Sequence, residues 1–490
     1  MPDMPDSSVA AGPENALPGD RRRPEPGDVG QASGQLSTAD AVSLIVGIVV
    51  GVSIFKIPGL VFSNVGSPLE GLLVWLAGGL IALAGALCYA ELTTTWPRSG
   101  GDYEYLTRAW GPWAGFLFAW SHLTAILTGS IGGLAYVFAD YACSLAGFEE
   151  SRAAPLAAVA VVLLTGVNLA GIRFGRMAQN LLTAAKVLGL GGLVAAGFYA
   201  ARFTELTAEA PVPEGMPGLG LAMVLVLYAY GGWNDAAFVA AEVRDRNRAL
   251  PRALICSTAA ICGLYLLINV AFIAGLGFTE LRNSGVPAAD LMQSVFGPTG
   301  RVAISLLVCI SALGGLNGLI LAGSRVHAAL GEDHRLFAPL GRWRRESSVP
   351  AVALLTQSVV SLLLIGLVGT ETGRGAIDGA VELLRIPAVE WGRFGGGFDT
   401  LIALTAPVFW LFFLMTGCSL VILRWKEPAR PRPFRTPLFP FTVLLFCGSC
   451  VFMIWSSVDW AGSLAAFGGV QLLIGLVLYL ISGQLGRRSA

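Results

Sequence analysis

Runs of 18 to 25 apolar residues, almost free of charge, recur along most of the 490-residue chain. Each is long enough to cross a hydrocarbon core ~30 Å thick as a helix. Lipid offers no partners to backbone N–H and C=O groups, so a spanning segment must be a helix or part of a closed barrel. Barrel strands would read as ~10-residue alternating segments, and none are present. Only 13% of residues are charged, about half the usual share of a soluble chain. The pattern excludes a soluble enzyme, a nucleic-acid binder and a disordered hub. An all-α polytopic membrane protein remains.

Twelve spans are expected, at roughly 38–61, 70–94, 112–141, 153–171, 179–201, 217–241, 251–277, 300–329, 350–369, 400–424, 437–458 and 461–483. With the N-terminus inside, 23 of the 32 Lys and Arg fall in inner segments and seven in outer ones. By the positive-inside rule both termini are then cytoplasmic, and the protein sits as a multi-pass chain in the cell (cytoplasmic) membrane. Residues 1–36, rich in Pro, Gly, Asp and Arg, bury too little apolar surface to order themselves and read as a disordered cytoplasmic tail. No cleavable signal is expected, because no short apolar region precedes the first full span. Seven of the eight cysteines lie inside spans, and Cys143 approaches the outer surface. Cys447 and Cys450 form a CxxC on an apolar helix, where packing is the plainer reading than metal or redox use.

Two spans contain places where a helix should break. The first carries Gly47, Gly51 and Pro58-Gly59, and the sixth carries Gly231-Gly232 before Trp233-Asn234-Asp235. Broken backbone at membrane depth is tolerated where it lines a cavity. The breaks are five spans apart, so their helices run in opposite directions. That is the sequence pointer to an inverted repeat with its binding site at the midplane. Close packing of small residues is the alternative. The outer half-helix starting near Ser53 presents free N–H groups and a positive dipole end, which suit a carboxylate. Carbonyls ending the other half-helices, near Val49 and Val50 and at Tyr228, Ala229 and Tyr230, suit an ammonium group. A pocket with both ends fits a zwitterion such as an α-amino acid.

Five stretches make the reading specific. They are Gly47 to Phe55; Tyr89 to Leu92 with Trp96 to Tyr103; Lys186; Tyr228 to Asn234 with Glu242 and Leu250 to Ala253; and Ser311 with Asn317-Gly318 and Ser324-Arg325. Together, over about residues 38–485, the chain resembles the amino acid–polyamine–organocation superfamily, nearest its L-type amino acid transporter branch. The resemblance implies a five-plus-five inverted repeat (37–201 and 217–424), two added spans in 437–485, and alternating access around a backbone-lined amino acid site. Carried over by position, Val52, Ser53 and Ile54 offer N–H groups to a carboxylate. Val49, Tyr228 and Gly231 supply carbonyls or the aromatic lid, with Tyr228 at the usual gating position. The chain departs from the family's Gly-Ser-Gly with Gly51-Val52-Ser53, which narrows the pocket floor against large substrates. Asp235 stands where relatives carry an apolar or aromatic residue.

An unpaired lysine at mid-span costs roughly 2.5–3.5 kcal/mol on insertion scales. Lys186 is therefore expected to be functional, with snorkelling to the headgroups as the alternative. In the related transporters a lysine here occupies the sodium place of sodium-driven members, which implies a tether between span 1 and span 8 through the Gly51 region and Ser311. Transport without sodium follows, and proton coupling is the variant. Asp235 fits a helix cap as well as a substrate contact. Lys56 either snorkels outward or makes a gate contact. Glu91, Arg98 and Glu242 form a closing salt bridge or solvated helix ends. His122 reads as packing, and His327 and His334 as loop residues of no evident role, with the three histidines far apart. No catalytic motif or filter loop is present, so neither an enzyme nor a channel is expected, and no cofactor or metal. A polyamine or organic-cation carrier is the second reading, though it leaves the span 1 N–H groups unpaired. The expected partners are the amino acid substrate and the lipid bilayer, not nucleic acid. A heavy-chain glycoprotein is not expected, because Cys143 sits early in its loop for that linkage.

Overall fold

The computed structural model describes residues 51–96, 101–169, 175–201, 218–234, 246–342 and 350–487. Among them all regular structure is helical. The helices are α1 Ser53–Ser63, α2 Pro68–Thr95, α3 Pro112–Ala146, α4 Ala153–Leu169, α5 Gly175–Tyr199, α6 Leu219–Tyr230, α7 Arg246–Leu276, α8 Pro287–Asp333, α9 Ala351–Gly369, α10 Gly397–Lys426, α11 Phe441–Ala461 and α12 Ala465–Arg487. Seven stretches are long and apolar enough to cross a bilayer, with α11 and α12 falling in one of them. Four shorter apolar helices accompany them, including α1 and α6. The two faces are called inner and outer after the charge bias of the sequence.

Local chemistry sets the ends. The Ser67 hydroxyl accepts from Glu70 N–H while Glu70 accepts from Gly66 N–H, and Pro68 opens α2. These satisfy donors that the first helical turn leaves free. Gly147, left-handed at φ 67°, closes α3, and Gly297, at φ 64°, kinks α8 just before Pro298. Three short helices were not anticipated: Asp102–Trp110, Phe278–Asn283 and Glu371–Leu383. Their mixed polarity places them at the faces rather than across the bilayer.

The largest packing contacts join α2 to α7, α3 to α8 and α10 to α11. Glycine allows close approach: a Cβ on Gly79 of α2 would lie 2.3 Å from Cys262 of α7, and one on Gly323 of α8 would lie 1.9 Å from Leu127 of α3. Small residues of this kind let membrane helices approach to backbone distance.

Two readings of the sequence are corrected. His327 is not in a loop: α8 continues to Asp333, and His327 is fully buried on it. Its ring centroid lies 5.6 Å from that of His122, at the start of a π-turn in α3, so these two histidines are neighbours. They meet because α3 and α8 pack along their lengths. Cys143, expected in a loop, is a buried residue within α3.

Candidate functional site

Helix α1, which starts just after Gly51, and helix α6, which ends just before Gly231, meet. At the first break Gly51 is outside any helix, and α1 begins at Ser53 behind Val52 with no side chain capping it. The N–H groups of Val52, Ser53 and Ile54 therefore stand at the uncapped positive end of a helix. At the second, α6 ends at Tyr230, Gly231 turns extended, and Gly232 takes φ 101°, a conformation that favours glycine. Gly231 N–H returns to the Tyr228 carbonyl at 3.0 Å, and Gly232 N–H donates to Asn234 Oδ1 at 3.3 Å. α1 packs directly on α6, and Lys56 of α1 and Tyr228 of α6 both meet the Phe398 ring of α10. Val49, Val50, Arg98, Asp235 and Glu242 lie outside the described residues.

Aromatic side chains cover the breaks on both faces. Outward, the Tyr228 ring packs edge-on against Phe398 of α10 at 6.0 Å. Above Phe398 sits the Lys56 ammonium, 5.0 Å from the ring centroid, which forms an ion pair with Asp140 of α3. Lys56 thus makes an internal contact and does not snorkel outward. Inward, Trp233 packs on Tyr89 at 5.0 Å, on Phe413 at 5.8 Å and on Phe446 at 6.3 Å. Tyr89 donates to the buried Asp102 carboxylate. Burial pushes the Asp102 carboxyl up to about 6, against the Tyr89 hydrogen bond that lowers it.

Lys186 is 6% exposed and Ser311 is 1% exposed, with no hydrogen-bond partner found for the Ser311 hydroxyl among the described residues. A Cβ on Gly189 of α5 would collide with Leu307 of α8 at 1.9 Å. Lys186 lies one turn before Gly189 and Ser311 one turn after Leu307. In antiparallel helices this sets the two at the same level. α8 also packs against α1, so α5, α8 and α1 form one packed set.

Glu91, fully buried, is not a solvated helix end. Arg424 grips it with two parallel bonds, Nε to Oε1 at 2.8 Å and Nη2 to Oε2 at 2.5 Å. Arg432 lies 3.5 Å away, and Thr436 N–H donates at 2.7 Å. Arg424 in turn covers the Phe439 ring at 3.8 Å. One carboxylate on α2 thereby joins the end of α10 to the segment leading into α11. Among the described residues no group of three His, Cys, Asp or Glu side chains is placed to hold a metal ion.

The family described as amino acid permease matches residues 36–470, most of the chain. The chain belongs to the amino acid permease family. This permease is 30% identical to the human large neutral amino acids transporter small subunit 2 over 460 residues, covering 91% of this chain and 80% of that protein. It is 29% identical to the mouse b(0,+)-type amino acid transporter 1, covering 84% and 80%. Against the serine/threonine exchanger SteT of Bacillus subtilis (strain 168) it is 27% identical, covering 89% and 93%. The family resemblance read from the five stretches is borne out.

The sequence reading passed over Phe398, Asp140 and Arg424. Asp140 had a visible signal, a carboxylate near the outer end of an apolar span. Phe398 had none, since an aromatic at the start of a span is ordinary.

Proposed function

We propose that this permease carries amino acids across the cytoplasmic membrane by alternating access, using a five-plus-five inverted repeat of spans 1–5 (37–201) and 6–10 (217–424), with spans 11 and 12 (437–485) added and both termini cytoplasmic. The observation that carries the reading is that α1, whose first turn has no side-chain cap, packs on α6, which ends just before Gly231. Pairing of helices five apart supports the repeat: α1 packs on α6, α2 on α7, α3 on α8 and α4 on α9. Val52, Ser53 and Ile54 hold the carboxylate. Val49, Val50, Tyr228, Ala229, Tyr230 and Gly231 supply carbonyls for the ammonium, and Asp235 caps the inner half-helix. Tyr228 with Phe398, backed by Lys56 and Asp140, closes the outer side. Glu91, together with Arg98 and Glu242, belongs to the inner closure. Lys186 and Ser311 replace a sodium ion as the tether. No heavy-chain glycoprotein is needed, a reading supported by the burial of Cys143 within α3. The human relative is named a small subunit, the Bacillus relative simply an exchanger.

Purified protein in proteoliposomes, offered the twenty amino acids singly, is expected to take up a subset saturably and at the same rate when choline replaces sodium. Uptake that requires sodium would remove the tether. Uptake of polyamines in preference to amino acids would remove the zwitterion site.

A further inference from the structure

We propose that Asp102 is a positioning residue of the inner closure: through the Tyr89 hydroxyl it holds Trp233 in place, and its own protonation sets how readily the inner side opens. Asp102 is the first residue of the short helix Asp102–Trp110, behind Gly101 at φ 50°, and that helix packs on α10. Asp102 is 4% exposed, and its Oδ1 accepts from the hydroxyl of Tyr89 of α2, which is buried too. Tyr89 meets the Trp233 indole edge-on at 5.0 Å and 87°. Trp233 stands three residues past the end of α6 and is buried. It fits a notch in α2, where a Cβ on Gly85 would lie 2.7 Å from the indole. A carboxyl from the short helix, a phenol from α2 and an indole beyond α6 therefore form one line of contacts.

The phenol ring in the middle is packed from two further sides. Tyr105, on the Asp102 helix, stands edge-on to it at 6.4 Å, and Phe413 of α10 lies at 6.1 Å. Tyr89 and Tyr105 are the titratable groups that act with Asp102 among the described residues. The charges on the surrounding elements are engaged elsewhere. Glu91 of α2 is held by Arg424 of α10, Glu104 bonds Arg108 on the same short helix, and Lys426 of α10 donates to the Ala109 carbonyl. A buried carboxyl holds its proton more tightly than a wet one, and burial is what raises Asp102 from the ordinary 3.8 to about 6. Opening the inner side parts Trp233 from Tyr89 and lets water reach the carboxyl, which returns it toward the ordinary value. The closed form thus binds the proton more tightly than the open one, so falling pH favours the closed form. The inference rests on the alternating access proposed above and names the group through which protons restrain it.

The test compares wild type, Asp102→Asn and Tyr89→Phe in proteoliposomes normalised to monodisperse protein. Uptake of a transported neutral amino acid is followed with the same pH inside and outside, so that no proton gradient contributes. Wild-type uptake is expected to fall about fourfold between about pH 7.5 and about pH 5.5, the population change that a carboxyl at about 6 imposes when its open-state value is ordinary. Tyr89→Phe removes a hydrogen bond that favours the charged carboxylate, so its fall is expected at higher pH. Asp102→Asn keeps the side-chain shape without the titration, and its uptake is expected to stay flat over this range. A purely structural Asp102 would lower uptake at every pH alike. A flat wild-type profile, an Asp102→Asn variant that keeps the acid fall, or a Tyr89→Phe profile that does not move overturns the proposal. A wild type that takes up no amino acid at any pH sinks the underlying transport reading, whereas normal wild-type uptake at neutral pH with any of those three results sinks this inference alone.

Discussion

Lys186→Ala is expected to abolish uptake or slow it about tenfold or more while the protein inserts and purifies as well as wild type. The two halves of that expectation have one physical source. A lysine at mid-span is costly to insert, about 2.5–3.5 kcal/mol, so its removal relieves a penalty rather than creating one. What is lost is a charge where α5, α8 and α1 pack together, one turn inward from the Gly189–Leu307 contact. If the ammonium bridges the Gly51 region to Ser311 in one conformation of the cycle, it biases that conformation. Losing about 1.4 kcal/mol of such bias is already a tenfold change in population. Uptake by the alanine variant under a tenfold substrate gradient checks this directly. Normal uptake would return Lys186 to a snorkelling role, and poor insertion would make it structural.

Glu91→Ala is expected to cost stability rather than activity first. Removing one partner of a buried ion pair typically costs about 3–5 kcal/mol, because the other charge stays buried and unpaired. Here the stranded groups are Arg424, held by two bonds, and Arg432, 6% exposed along its side chain. Thr436 N–H also loses its acceptor. The consequence is release of the segment between α10 and α11 from α2, seen as a lower thermal midpoint in detergent by loss of the monodisperse peak. Pairing Glu91→Ala with Arg424→Leu should recover part of the loss, since no unpaired Arg424 charge then remains. A single Glu91→Ala variant as heat-stable as wild type would show that the pair contributes nothing net.

The two substitutions mark the boundary of what the sequence reveals. Lys186 was legible because a charge inside an apolar run has a cost that demands a reason. The helix start at Ser53 and the helix end at Tyr230 were legible for a similar cause, glycines placed where helix is otherwise compulsory. The partners were not. Glu91 and Arg424 are 333 residues apart, and no periodicity links them. The short helices Asp102–Trp110 and Glu371–Leu383 lie at the faces, where hydropathy dips and gives no strong pattern. His327 lay within the span expected at 300–329, two residues from its end, and its burial on α8 became visible only through the packing of α3 against it.

The central claim is that two helix ends of opposite polarity read both charged groups of one amino acid. Competition in proteoliposomes tests it most directly. Uptake of a labelled transported amino acid is challenged with the unlabelled parent, its methyl ester and its N-acetyl derivative at equal concentrations. The parent is expected to compete fully and both derivatives weakly, because the ester removes the charge for the Val52–Ile54 N–H groups and acetylation removes the one for the α6 carbonyls. Competition by either derivative as strong as that by the parent would contradict the account.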